Sequence, residues 1–222
     1  MNKKLIIFDC DGVLVDSEFV SCKVFSETLS KYGHHVSVEE CIRQYTGINE
    51  EDCRQLIMAE TGIHMPKDYW ASQETVLRKA FETELTPLLQ PVLDALVDLG
   101  LPRCVASNSS RRHVIHCLET TNQLGYFEDA SIFSSQQVKR AKPAPDLFLH
   151  AAKEMGFEPK DCLVIEDSLI GANAAIAAGM NVFMFLGGTH ARSDWYREKV
   201  ALYNKPMHAT PHELALAIRE AL

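Results

Sequence analysis

The 222-residue chain has no apolar run approaching the ~20 residues that a bilayer-spanning helix needs. Its N-terminus, Met1-Asn2-Lys3-Lys4, is basic, but the apolar run behind it ends at Asp9, too soon for a signal peptide. Both absences point to a cytoplasmic protein. Positive charge is also short: 22 Lys and Arg against 30 Asp and Glu leave a formal charge of −8. That balance argues against nucleic acid as the main partner, because phosphate backbones call for clustered cations. A phosphorylated substrate must then be met by local positive charge or a bound cation. Seven cysteines (10, 22, 41, 53, 104, 117 and 162) never form C-x-x-C, so their spacing supports neither a disulfide framework nor a zinc site. They read as small buried hydrophobes in a reducing compartment. Among nine histidines, His113 and His116 stand three apart, yet no H-E-x-x-H occurs, and all read as ordinary surface or core residues. Internal repeats and low-complexity segments are missing as well.

What is present is an ordinary globular composition, 46% hydrophobic and 23% charged, and length for one large domain or a core with an inserted module. Leu5-Ile6-Ile7-Phe8 reads as a buried strand closed by a glycine turn. From Ser17 to about Leu85 the pattern is helical, cut by Tyr32-Gly33, Thr46-Gly47 and Thr61-Gly62 into helices of about a dozen residues. From Pro87 onward helices and strands alternate. Leu88, Val92, Leu96 and Leu99 keep helical spacing before Gly100. Cys104-Val105-Ala106, Ser131-Ile132-Phe133, Leu163-Val164-Ile165 and Val182 to Leu186 read as strands. Pro145 opens a helix with Phe148, Ala151, Ala152 and Met155 on its apolar face, and Gly171 to Ala178 forms a tightly packed helix stopped by Gly179. Thr210-Pro211-His212-Glu213 is a capping-box start for a last helix burying Leu214, Ile218 and Leu222. The pattern predicts an α/β protein: a Rossmann-like, doubly wound parallel sheet in residues 1–16 and 87–222, with residues 17–86 forming a separate α-helical cap over the strand ends.

Chemistry gathers at three strand ends. Asp9 and Asp11 leave the first strand ahead of Gly12. One such carboxylate can serve as nucleophile and metal ligand while its neighbour handles protons. Alone, the pair also permits a plain metal site or a solvated acidic turn. Ser107 and Asn108 follow a second strand, Glu166 and Asp167 a third, and Lys142-Pro143 lies in a loop between them. Singly, these are a helix cap, a polar turn and a surface lysine. If the edges converge, they supply carboxylates for a divalent metal, a hydroxyl and backbone donors for phosphate oxygens, and one ammonium. Such oxygen ligands suit Mg²⁺ over zinc.

In this order the residues resemble the haloacid dehalogenase-like superfamily over nearly the whole chain. Asp9-Cys10-Asp11-Gly12-Val13-Leu14-Val15-Asp16-Ser17 resembles its first motif, Ser107 its second, Lys142-Pro143 its third, and Glu166-Asp167-Ser168 with Gly171 its fourth. The helical insert resembles the cap of the subfamily holding β-phosphoglucomutase, phosphoglycolate phosphatase and many sugar-phosphate phosphatases. The resemblance implies that Asp9 attacks phosphorus to form an aspartyl-phosphate, and that Asp11 protonates the leaving alcohol and then activates water. It implies Mg²⁺ bound by the Asp9 side chain, the Asp11 backbone carbonyl and Asp167, with Glu166 a ligand or a supporting partner. Ser107 and backbone amides near Cys10 and Asn108 would hold the phosphoryl oxygens, and Lys142 would offset the gathered negative charge.

Departures narrow the expectation. Asp11 argues against dehalogenation, because true dehalogenases lack the second carboxylate. Ser21 stands where β-phosphoglucomutase has a histidine, and Asn49 and Glu50 stand where it has a phosphate-gripping arginine. Hydrolysis is therefore expected over phosphomutase activity. A non-catalytic binding protein of the same fold is the remaining alternative, and no catalytic position is missing to favour it. Arg111, four residues past Ser107, with Arg112 as the second choice, is a candidate contact for an anionic group on the substrate, with a solvated first-turn arginine as the equal alternative. An anionic contact would suit a sugar-acid phosphate such as 6-phosphogluconate. The expected protein is a monomeric, Mg²⁺-dependent phosphatase of small phosphorylated metabolites, without nucleic-acid or membrane partners.

Overall fold

Residues 4–46 and 50–222 are described in the computed structural model. The chain divides into two compact units, one of Ser17–Leu85 and one of Met1–Asp16 with Thr86–Leu222. Among the described residues four helices make the smaller unit: α1 (Ser17–Lys31), α2 (Val38–Tyr45), α3 (Glu50–Thr61) and α4 (Tyr69–Glu84). Ser37 caps α2, its hydroxyl accepting from the Glu40 N–H at 3.1 Å. Phe25 on α1 meets Tyr45 edge-on at 5.4 Å and Tyr69 at 5.9 Å, so aromatic contacts tie three of the helices together. Leu29, Cys41, Ile57 and Phe81 are buried within the unit. Asn49, which bears on a second phosphate clamp, lies outside the described residues, as does the side chain of Glu50.

The larger unit is built on a parallel sheet of six strands: β1 (Leu5–Phe8), β2 (Arg103–Ser107), β3 (Ile132–Ser134), β4 (Cys162–Glu166), β5 (Asn181–Phe185) and β6 (Met207–His208). Their order is β3-β2-β1-β4-β5-β6. Ile7 of β1 stands level with Cys104 of β2 and Val164 of β4, which puts the first strand at the centre. Its four residues are fully buried, as the continuous apolar run of a strand covered on both faces requires. The chain changes direction across the sheet beside β1, and open α/β sheets bind ligands at the carboxyl edge of such a switch. Asp9, Ser107 and Glu166 lie at or just past the carboxyl ends of three neighbouring strands.

Among the described residues six α-helices belong to this unit: α5 (Gln90–Asp98), α6 (Arg111–Thr120), α7 (Asp146–Glu154), α8 (Leu169–Ala177), α9 (Asp194–Ala201) and α10 (Pro211–Ala221). Leu147, Phe148, Ala151 and Ala152 of α7, with Ala172, Ala174 and Ala175 of α8, join one cluster with Leu5, Ile7, Cys104 and Val164. Burying a side chain as fully as Phe148 contributes about 1.5–3 kcal/mol. The opposite strand positions, Ile6 and Phe8, turn to the other side, where Phe8 meets Phe127 edge-on at 6.4 Å. Thr210 and Glu213 form the expected capping box at α10, and Leu214 and Ile218 are buried. The α/β, Rossmann-like fold is the one the sequence pattern predicts.

Several details differ from the sequence reading. Leu222 is exposed because α10 stops at Ala221. The buried stripe of α5 is Leu89, Val92, Leu93 and Leu96, with Leu99 exposed at the helix end. Two-residue β6 and helices α6 and α9 carry no pattern strong enough to stand out. All seven cysteines are free and buried, and among the described residues no helix is long and apolar enough to cross a membrane.

Candidate active site

The first motif doubles back on itself directly after β1. The Cys10 carbonyl accepts from the Leu14 N–H at 2.9 Å, and the Gly12 N–H donates to the Val15 carbonyl at 2.9 Å. Gly12 takes φ +74°, a conformation that disfavours any side chain. A Cβ there would stand 2.1 Å from Asp167 Oδ2 and 2.9 Å from His190 Cε1. Glycine is thus what lets the first motif lie against the turn that follows β4. Gly171, in the first turn of the helix over Leu169–Ala177, leaves room for the Glu166 carboxylate, which a Cβ there would strike.

Lys142 bridges two strand ends. Its Nζ donates to Glu166 Oε1 at 2.7 Å and lies 3.0 Å from Asp9 Oδ1, while the ring of Phe148 sits beneath it at 4.6 Å. Asn108 positions this lysine through its backbone: the Lys142 N–H donates to Asn108 Oδ1 at 2.9 Å, and Asn108 Nδ2 donates to the Lys142 carbonyl at 3.1 Å. Glu166 Oε2 accepts from the backbone N–H groups of Asp167 and Ser168 and from the Ser168 hydroxyl, at 2.9–3.1 Å. Both of its oxygens are therefore engaged. Asp167 Oδ2 lies 2.8 Å from His190 Nε2, and its carbonyl accepts from the Tyr196 hydroxyl at 3.1 Å. Ser107 is buried at the end of β2, its hydroxyl accepting from the Ser109 N–H at 3.1 Å.

Asp11 has its own partners. Ser109 Oγ donates to Asp11 Oδ2 at 2.6 Å, and His113 Nε2 lies 3.0 Å from Asp11 Oδ1. Cys117, one turn further along α6, places its sulfur 3.5 Å from the same imidazole nitrogen. The neighbouring Asp11 carboxylate raises His113 from its ordinary 6.5 to about 11, against a burial that lowers it. A hydrogen bond with Cys10 brings the Cys117 thiol down to about 7, with His113 assisting against burial.

Carboxylates outnumber the buried cations. Asp9, Glu166 and Asp167 each bring an oxygen within 4.8 Å of the others. Burial drives Asp9 well above the usual carboxylate range against the pull of Lys142, and Glu166, Asp167 and Asp11 add repulsion. Burial raises Asp167 too, opposed by His190. Burial alone would raise Glu166 as well, but Lys142 and the Ser168 donors hold it below its ordinary value. A crowd of buried oxygen donors with too little positive charge fits a hard divalent cation, whose preferred ligands are carboxylates and carbonyls.

The sequence model of the haloacid dehalogenase-like hydrolases matches residues 3–179. The chain belongs to that family. It is an enzyme of the phosphoric monoester hydrolase class. Over 192 residues the hydrolase is 31% identical to the 6-phosphogluconate phosphatase of Escherichia coli (strain K12), spanning 83% of each chain. Its fold superposes on a haloacid dehalogenase-like protein of Agrobacterium tumefaciens with a TM-score of 0.88, at 32% identity over 99% of both chains. A family hydrolase of Deinococcus radiodurans, solved with phosphate and sodium bound, gives a TM-score of 0.85 at 28% identity, over 99% of this chain and 96% of that one. Members of the family generally use Mg²⁺.

Of the residues singled out in the sequence, Asp9, Lys142, Glu166 and Asp167 come together, and Asn108 is tied to Lys142. Arg111 is engaged elsewhere: its guanidinium pairs with the Asp129 carboxylate and donates to the Asp129 carbonyl at 3.0 Å. The Cys10 thiol turns to Cys117. Reading every histidine as ordinary needs correction at two positions, because His113 bonds Asp11 and His190 bonds Asp167. Ser109 likewise joins the site unannounced. The only advance signal for Ser109 and His113 is their closeness to Ser107, and for His190 there is none in the local pattern.

Proposed function

We propose that this hydrolase is a Mg²⁺-dependent phosphatase acting on sugar phosphates, including sugar-acid phosphates such as 6-phosphogluconate, through an aspartyl-phosphate on Asp9. The observation that supports this most is the half-buried Asp9 carboxylate, 3.0 Å from Lys142 and clustered with Glu166 and Asp167. An Asp9 oxygen attacks phosphorus as the bond to the leaving alcohol breaks, and Asp11 gives that alcohol a proton. Asp11 then takes a proton from water, whose oxygen attacks phosphorus and breaks the bond to Asp9. Ser107 and the backbone N–H groups of Cys10 and Asn108 receive the phosphoryl oxygens, and Lys142 offsets their charge.

Asp9, Asp167 and the backbone carbonyl of Asp11 are the groups that would hold the cation. Glu166, whose oxygens already accept from Lys142, Asp167 and Ser168, serves as the anchor of Lys142. When bound, Mg²⁺ supplies positive charge that favours ionised Asp9 and stabilises the transferring phosphoryl group. Arg111 is left out of the site because Asp129 holds it. The reading also takes the enzyme as monomeric and cytoplasmic, where free buried cysteines stay reduced.

A panel of sugar phosphates assayed with and without Mg²⁺, scored by kcat/KM, tests this reading. Mg²⁺-dependent phosphate release is expected, with 6-phosphogluconate among the better substrates. Conversion of β-glucose 1-phosphate to the 6-phosphate without phosphate release would replace the phosphatase with a mutase.

A further inference from the structure

A second group of ligating atoms stands beside the carboxylate cluster. Asp11, His113 and Cys117 each bring a ligand atom within 4.8 Å of the others. Their donor set is one oxygen, one nitrogen and one sulfur, which a hard cation such as Mg²⁺ does not favour and a borderline cation does. The spacing is also telling. His113 Nε2 lies 3.0 Å from Asp11 Oδ1 and 3.5 Å from Cys117 Sγ. Tetrahedral zinc with ordinary bond lengths sets its nitrogen and oxygen ligands about 3.3 Å apart and its nitrogen and sulfur ligands about 3.6 Å apart. Both observed edges fall close to those values.

The scaffold suits a site. His113 and Cys117 lie four residues apart on α6 and so share one face of a helix whose first turn is capped by Ser110. Asp11 comes from the glycine turn after β1, so two separate segments converge. Cys117 is buried, while the side chains of Asp11 and His113 keep 19% and 28% exposure, which leaves an approach from solvent. Cys10, hydrogen-bonded to Cys117, holds a second sulfur next to the first.

We propose that Asp11, His113 and Cys117 form a binding site for a borderline divalent cation of the zinc or cobalt class, separate from the oxygen-only cluster at Asp9 and Asp167. Binding displaces the Cys117 thiol proton and the proton that the Asp11 pairing holds on His113 Nε2, and releases both to solvent. One consequence rests on the proposed function: a cation held by Asp11 ties up the group that carries protons in phosphate release, so zinc inhibits the enzyme even with Mg²⁺ in excess.

Cobalt titration of the whole enzyme in saturating Mg²⁺ tests the site, because a thiolate bound to cobalt gives a near-ultraviolet charge-transfer band that oxygen ligands do not. The band should saturate at one equivalent and be bleached by zinc. It should be absent in Cys117→Ser, persist in Cys104→Ser, and need at least about tenfold more cobalt in His113→Gln. No band in the wild type, or an undiminished band in Cys117→Ser, overturns the site and leaves the phosphatase reading standing. A band at this site with phosphate release untouched by zinc supports the site and overturns the proton-carrying role of Asp11.

Discussion

Lys142 and Glu166 form a buried ion pair, Nζ to Oε1 at 2.7 Å, that reaches from the loop before α7 to the end of β4. The same ammonium faces Asp9, so removing it strands two carboxylates away from water. Breaking such a pair costs about 3–5 kcal/mol. Lys142→Met should therefore lower unfolding stability on that scale as well as phosphate release, as urea denaturation and a steady-state assay would measure. A change under about 1 kcal/mol would mean the pair is solvated in solution.

Gly12→Ala should damage the site more than the fold. The added Cβ meets the Asp167 carboxylate and the His190 ring while the backbone holds a positive φ. Relief requires the Asp167 side chain to move, so Mg²⁺ affinity should fall with kcat. Thermal unfolding with and without Mg²⁺ would show a smaller cation-induced shift than in the wild type; an equal shift would contradict the close approach.

The divalent cation itself should stabilise the fold. Asp9 and Asp167 are both driven up by burial, so a cation that binds them only in the folded state offsets their desolvation. At about 100 times its dissociation constant such a ligand adds about 2.7 kcal/mol. Differential scanning calorimetry should show Tm rising with Mg²⁺ and falling again with chelator. An unchanged Tm in Asp9→Asn with Asp167→Asn identifies the pair as the ligands.

His113 gives a pH dependence with a defined sign. Its folded value, about 11, lies above its ordinary 6.5. A group raised on folding stabilises in full below its unfolded value and loses that contribution as pH rises through the folded one. The stability gap between wild type and His113→Gln should thus be greatest below about pH 6.5 and narrow as pH rises toward about 11. Urea unfolding across that range measures it, and a gap that widens with pH contradicts the Asp11 pairing.

The architecture was legible where information is local. Four consecutive apolar residues before Asp9, closed by a glycine turn, read as a buried strand, and Thr210 with Glu213 announces a helix start within four residues. The motif positions were legible because Asp9, Ser107, Lys142 and Glu166 all follow strands or precede helices, where side chains leave the sheet edge. His113 and His190 were not, since each gains its meaning from a partner that is 102 residues away in the first case and belongs to a different strand end in the second. Arg111, four residues past Ser107, pairs with Asp129, a contact that the pattern around Ser107 does not announce. Sequence distance conceals such pairings because a local pattern does not say which strand ends the sheet brings side by side.

The nucleophile is the central claim. Acid-quenching the enzyme during turnover of a sugar phosphate, reducing it with borohydride and mapping peptides by mass spectrometry tests it directly. An aspartyl-phosphate is reduced to homoserine, and the account predicts that conversion at Asp9 and nowhere else, only when substrate and Mg²⁺ are both present. Homoserine at Asp167 or Asp11 instead, or none while phosphate is released, would contradict it.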